Sequence, residues 1–204
     1  MPQADLVLLH APSVYDFRKE SILYGPVSDL VPSTPVFEMY PIGLTTIAEY
    51  LERHGLRVRI VNLAVRMLNS ERFDVEKLIR KLRPAAFGID LHWMPHAHGA
   101  IEVARLCKKH HPDIPVMFGG FSSSYYHEEL VQRPEIDFVI RGDSTEEPVL
   151  QLMQNLTGQP GAPALDDVPN LTWQEPDGRL RVNEITYSPS NLDHVLIDYS
   201  YVVK

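Results

Sequence analysis

The chain has 204 residues, 44% hydrophobic and 23% charged, with a formal net charge of −8 and one cysteine; these values fit one globular domain with a small appendage and exclude a disordered or fibrous chain. The acidic balance argues against a nucleic-acid-binding surface, and no apolar run is long enough to span a bilayer. Cys107 alone builds neither an internal disulfide nor a multi-cysteine zinc or iron–sulfur site, and with no secretory signal at the N-terminus it fits a reducing cytoplasm.

In chain order, Leu6-Val7-Leu8-Leu9 is an apolar run without polar alternation, the pattern of a strand buried on both faces. A long segment, residues 13–40, follows and carries Tyr15, Phe17, Arg18, Tyr24, Phe37 and Tyr40. It reads as a lid over the site, as ordinary surface packing, or as a segment ordered only against a further domain. A helix starts near Pro41, with Leu44, Ile47, Ala48 and Leu51 on its apolar stripe and Gly55 placed to end it. Val58–Leu63 is a second strand. Asp74 caps a helix carrying Val75, Leu78, Ile79 and Leu82, which Pro84 stops. Ala85–Ile89 is a third strand, and the next helix has Ala100, Val103, Ala104 and Cys107 on one face. Ile114–Phe118 is a fourth strand, Ser123–Gln132 a helix, Asp137–Ile140 a fifth strand. A last helix buries Val149, Leu152, Met153 and Leu156. Residues 157–168 read as a linker. Asp177-Gly178 between two alternating runs marks a hairpin.

Five successive β–α units force parallel pairing with helices on both faces of the sheet. The expected fold is therefore a doubly wound α/β sheet of five strands in order 2-1-3-4-5, with a small C-terminal hairpin. Residues 1–156 form the α/β domain and 157–204 a linker, hairpin and connector. Such sheets bind ligands beyond the carboxyl ends of the strands, where the strand order reverses. The residues expected there are His10, Ala11 and Pro12 after strand one; Asp90, Leu91, His92 and Trp93 after strand three; Gly119, Gly120, Phe121 and Ser122 after strand four; and Arg141 and Gly142 after strand five. Gly119-Gly120 permits close approach of a ligand to the backbone, or simply a tight strand-to-helix turn. The serines beyond offer hydroxyls and the helix start offers N–H groups. Thr145 is assigned as the cap of the last helix, with Glu146 and Glu147 complementing its dipole. His92, His96 and His98 all follow one strand, so a metal site built from them would need a sharply folded loop; the favoured roles are hydrogen bonding to a ligand or none at all. His110-His111 and Cys107 read as structural.

Four segments in this order and spacing carry a resemblance: Leu6–Pro12; Tyr40-Pro41-Ile42-Gly43-Leu44 with Ala48, Leu51, His54-Gly55 and the second strand; Ile114–Gly120; and Asp137–Asp143 with Glu146-Glu147. Together they resemble the N-terminal cobalamin-binding domain of cobalamin-dependent radical S-adenosylmethionine enzymes, over about residues 5–156. The resemblance implies cobalamin lying over the carboxyl edge, its dimethylbenzimidazole tail threaded past Gly119-Gly120 and Ser122. The Leu91–Met94 loop would lie under the corrin, with Arg141 and Gly142 near the tail. An Asp-x-His-x-x-Gly motif after the first strand is replaced by His10-Ala11-Pro12, which implies base-off cobalamin without a lower histidine; His92 is the one candidate for a cobalt contact. The chain has no Cys-x-x-x-Cys-x-x-Cys motif. S-adenosylmethionine and a 4Fe-4S cluster are thus expected only in a C-terminal radical domain, the implied partner, and radical chemistry is not expected of this chain alone.

Two other readings share the topology. A phosphorelay receiver would use Asp90, but His10-Ala11-Pro12 stands where its acidic pair should be and no lysine ends strand five. A flavin- or nucleotide-binding module would use the Gly-Gly-Phe-Ser-Ser-Ser turn, without a phosphate-loop motif to support it.

Overall fold

A computed structural model describes residues 4–19, 42–191 and 200. The proposed lid and the helix start at Pro41 thus fall largely outside the described residues. In chain order the elements are β1 (Leu6–His10), α1 (Ile42–Arg53), β2 (Val58–Asn62), α2 (Leu63–Asn69), α3 (Val75–Ile79), β3 (Ala86–Asp90), a 3-10 turn (Met94–His96), α4 (Ala97–His110), β4 (Val116–Gly119), α5 (Phe121–Tyr125), α6 (His127–Val131), β5 (Phe138–Ile140), α7 (Glu146–Leu156), a second 3-10 turn (Leu165–Asp167), β6 (Leu171–Gln174) and β7 (Leu180–Val182).

The sheet runs β2-β1-β3-β4-β5-β6-β7. Its first five strands are parallel, in the expected 2-1-3-4-5 order. The hairpin does not stand apart. β6 pairs antiparallel with β5, and β7 with β6, so the sheet has seven strands. Val168, Leu171 and Trp173 bury themselves in the same core as the last helix, which is why the hairpin docks there.

Two local expectations change. Leu63 is not strand: Asn62 ends β2 and its side chain accepts a hydrogen bond from the Val65 N–H at 2.9 Å, capping α2. The helix expected over Ser123–Gln132 is two short helices, α5 and α6, interrupted at Tyr126.

Side chains alternate across each strand, so the sheet has two distinct faces. One packs Val7, Leu9, Phe87, Ile89, Val116 and Phe118 against Met67, Val75, Ile79 and the α4 stripe of Ala100, Val103, Ala104 and Cys107. Burial pushes the Cys107 thiol well above its ordinary range, so it packs as a small apolar group. The other face packs Leu6, Leu8, Ala86, Met117, Phe138 and Ile140 against α1 (Leu44, Ala48, Leu51) and α7 (Val149, Leu152, Met153). The strand period places Gly88 and Gly119 on this second face.

At the far end of α4, His111 Nε2 meets the Ile79 carbonyl at 2.8 Å and its ring stacks on Phe87, while His110 Nε2 meets Glu76 at 2.8 Å. Both histidines tie α4 to α3, in keeping with a structural role.

Candidate functional site

Between the second face and helices α1 and α7 lies a slot of about 450 Å³. Two rows of strand residues form its floor. Leu8, Gly88 and Met117 are paired neighbours across β1, β3 and β4. One step toward the carboxyl edge come His10, Asp90 and Gly119, the last two directly paired. Leu44, Thr46 and Ile47 of α1 make one wall, and Thr145, Glu146 and Val149 of α7 the other. The slot exists because each row contains a glycine, Gly88 in the first and Gly119 in the second. A Cβ on Gly88 would come 2.6 Å from Leu8 Cδ2, and one on Gly119 would meet only the Ile140 carbonyl, at 3.9 Å. Any larger residue at either position projects into the slot.

Gly120 serves a different purpose. Its φ is +104°, and a Cβ there would sit 2.9 to 3.0 Å from the backbone of Leu91 and His92. Only glycine lets the turn after β4 press against the loop after β3. That contact consumes the polar groups expected to be available beyond the glycines. Ser122 N–H and Oγ both donate to the His92 carbonyl, Ser123 N–H to Leu91 O, Ser123 Oγ to Gly119 O, and Ser124 Oγ to Gly120 O. Ser124 Oγ also accepts from the Gly142 N–H at 2.9 Å. The serines therefore brace the turn; they do not present a row of free hydroxyls.

At the mouth, His10 Nδ1 lies 2.9 Å from both carboxylate oxygens of Asp90. A carboxylate only accepts, so Nδ1 carries the proton and Nε2 is left as the ring's acceptor nitrogen. The His10 ring also lies 5.5 Å from that of His96, which is buried beside it. His98 points elsewhere, its Nδ1 accepting from the Tyr15 N–H at 3.3 Å. The three histidines after strand three do not converge, and the described residues contain no group of three or more His, Cys, Asp or Glu able to hold a metal ion. Around the rim, His92, Trp93, Met94 and Phe121 are exposed, Phe121 at 66%. Large apolar groups left in water beside a slot form a surface fit for a flat ligand.

Of the residues expected at the edge, His10, Asp90, His92, Trp93, Gly119, Gly120 and Gly142 line the slot. Ala11 and Leu91 are buried in the packed face. Pro12 is buried against α4, its carbonyl 1.7 Å from where a Cβ on Gly99 would lie, which explains the glycine there. Arg141 turns away: its Nε donates to the Asn170 carbonyl at 3.3 Å and its terminal nitrogen to the Asn183 carbonyl. It clamps the strand to the hairpin, because two carbonyls of the docked hairpin lie within reach of a guanidinium that would otherwise be buried unsatisfied.

Thr145 holds the cap position of α7, but its side chain makes no capping bond; only its carbonyl accepts, from the Val149 N–H at 2.9 Å. The acidic pair behind it does more than complement a dipole. Glu147 accepts from the Tyr50 hydroxyl at 2.7 Å, joining α7 to α1. Glu146 is buried at 5% exposure, and its Oε1 accepts from Thr46 Oγ1 at 2.8 Å. Its Oε2 is also buried and has no hydrogen-bond partner among the described residues. Gly88, Thr46 and Glu146 were not among the expected site residues. A glycine inside an apolar strand is a readable sign of close approach; the meeting of Thr46 with Glu146, a hundred residues on, is not.

This is a doubly wound sheet with a slot entered at the carboxyl edge. The B12 binding domain family matches it over residues 29–150, and the chain belongs to that family. Among characterised proteins, the chain is 24% identical over 186 residues to cytidylyl-2-hydroxyethylphosphonate methyltransferase of Streptomyces wedmorensis, a match covering 81% of this chain and 34% of that protein. It is 27% identical over 146 residues to hopanoid C-3 methylase of Methylococcus capsulatus, covering 70% of this chain and 27% of that protein. It thus spans about a third or less of these relatives. Among solved structures, the radical S-adenosylmethionine methyltransferase TsrM of Kitasatospora setae, with cobalamin and a 4Fe-4S cluster bound, shares the fold at a TM-score of 0.64 and 18% identity, over 92% of this chain and 30% of that one. The cobalamin-dependent radical enzyme OxsB, with aqua-cobalamin and S-adenosylmethionine bound, does so at 0.63 and 16%, over 92% and 23%. The family resemblance carried by the four sequence segments is the one these proteins bear out.

Proposed function

We propose that this chain binds cobalamin in the base-off state, with the nucleotide tail in the slot and the corrin over the exposed rim of His92, Trp93, Met94 and Phe121. The slot carries this reading. It is mostly apolar, has two glycines in its floor and opens where the strand order reverses. An aromatic base fits such walls, and a base held inside the slot is withdrawn from cobalt. Residues 1–156 would form the binding domain and 157–204 the connector. In the proposed full-length arrangement, bound cobalamin supplies a cobalt centre for methyl transfer or other radical chemistry. A C-terminal radical domain holding S-adenosylmethionine and a 4Fe-4S cluster would act from the corrin's open side. The chain's own residues bind and orient: Gly119 and Gly88 admit the tail, Gly120 fixes the mouth, and Asp90 orients His10.

A phosphate-cradling flavin or nucleotide site has less support, because the Ser122, Ser123 and Ser124 N–H groups donate to protein carbonyls. No helix among the described residues is long and apolar enough to cross a membrane. The net charge of −8 favours a small-molecule partner over nucleic acid.

The test is gel filtration of the chain mixed with hydroxocobalamin, with absorbance followed at protein and corrin wavelengths. The expected result is co-elution with a base-off corrin spectrum. Separate elution of protein and corrin overturns the reading. Co-elution with a base-on spectrum overturns the tail placement.

A further inference from the structure

Glu146 stands out among the slot's residues. It is a carboxylate buried at 5% exposure in a largely apolar wall, with one oxygen that no described group satisfies. Its other oxygen accepts from Thr46 Oγ1 at 2.8 Å, yet that hydroxyl has one proton and also lies 3.0 Å from the Gly43 carbonyl. Burying a charge this way is costly unless something pairs with it. The first turn of α7 provides partial relief, since Glu146 opens that helix at its positive end. What remains is a buried acceptor in the wall of the slot, without a hydrogen-bond partner among the described residues.

We propose that Glu146 makes the slot selective for a corrinoid whose buried base carries an N–H donor, such as an aminopurine. A base offering only C–H and methyl groups at that edge, such as dimethylbenzimidazole, is disfavoured. This rests on the corrinoid reading above and names its ligand class more narrowly. An N–H meeting Oε2 satisfies the carboxylate and gains a charge-assisted bond, whereas a methylated edge leaves the charge buried and unpaired. Thr46 positions the carboxylate from the opposite wall, so selectivity depends on α1 and α7 keeping their spacing.

The test measures binding of three corrinoids to the full 204-residue chain by tryptophan quenching and equilibrium dialysis: one with an adenine base, cobalamin, and cobinamide, which has no base. The adenine form is expected to bind about tenfold tighter than cobalamin, the ratio that one hydrogen bond to a charged group supports. In Glu146→Leu that ratio is expected to fall to about one, with cobalamin bound as tightly as before or tighter, because its apolar base no longer faces a charge. Glu146→Gln, which keeps an acceptor oxygen without the charge, should fall between. Equal affinity of the adenine form and cobalamin for the unaltered chain overturns the selectivity and leaves the cobalamin reading standing. So does a ratio that survives Glu146→Leu. Failure of all three to bind overturns both proposals, and cobinamide binding as tightly as the others removes the base from the slot. The series on the unaltered chain is decisive even if Glu146→Leu does not fold.

Discussion

The two faces of this sheet are made by the same strands and differ in one respect, the bulk at their centres. In β3, Phe87 and Ile89 point to one side while Gly88 and Asp90 point to the other; in β4, Val116 and Phe118 oppose Met117 and Gly119. The first face is closed by the buried side chains of the helices packed on it. The second is filled at its amino end by Leu6, Ala86, Leu51 and Leu152 and left open toward the carboxyl end. Packing and open space are therefore separated by the strand period: along each strand, alternate residues fill the closed face and the ones between them line the slot.

Mutations on the two sides should obey that division. Phe118→Ala, on the closed face, is expected to cost about 4 kcal/mol in urea unfolding, from lost burial and the cavity left behind. A loss under about 1 kcal/mol would show that this face is not tightly packed. Gly120→Ala is expected to cost about 2 kcal/mol, because it places a Cβ at positive φ against the backbone of the neighbouring loop. Gly119→Leu should leave the unfolding midpoint nearly unchanged while weakening cobalamin binding at least about tenfold in dialysis, since its side chain enters only the slot. Unchanged affinity would remove Gly119 from the ligand path. The contrast between the two adjacent glycines, one structural and one steric, sharpens what the Gly-Gly pair means.

The smallest effect concerns pH. Burial, then the nearby Arg141 charge, lower the pKa of His127, which lies 3.1 Å from Thr172 Oγ1 where α6 meets β6. Its folded pKa thus lies below the ordinary 6.5, so the unfolded chain takes up the proton more readily. Stability is fully present above that value and falls as pH drops through the folded pKa. The urea midpoint should decline between neutral and mildly acidic pH, and His127→Gln should flatten the decline. An equal slope in both proteins would place the titration elsewhere.

Much of the fold was legible in the residues. Unbroken apolar runs alternating with helical stripes leave a parallel sheet as the economical solution, and its strand order follows from the topology of such sheets. Most of the mouth was legible too, because residues after a parallel strand must lie at one edge. The failures share a cause. Arg141 follows β5 like any edge residue, but the hairpin that captures its guanidinium arrives some thirty residues later in the chain, through Asn170 and Asn183. The serines after Gly120 look available until the loop after β3 is packed against them. Leu63 looked like the end of a strand because it continues the apolar run of β2, but β2 ends at Asn62, whose side chain caps the short helix that Leu63 opens.

By itself the sequence determined the layer order, the edge at which the slot opens and the family to which the chain belongs, because these depend on periodicity and on local spacing. Only the tertiary structure decided which glycine opens space and which merely turns the chain. It alone brought Thr46 of α1 and Glu146 of α7 to opposite walls of one slot. The reason is physical. Alternation is written into neighbouring residues, but a void and an unsatisfied charge are properties of surfaces that meet only after the chain has closed on itself.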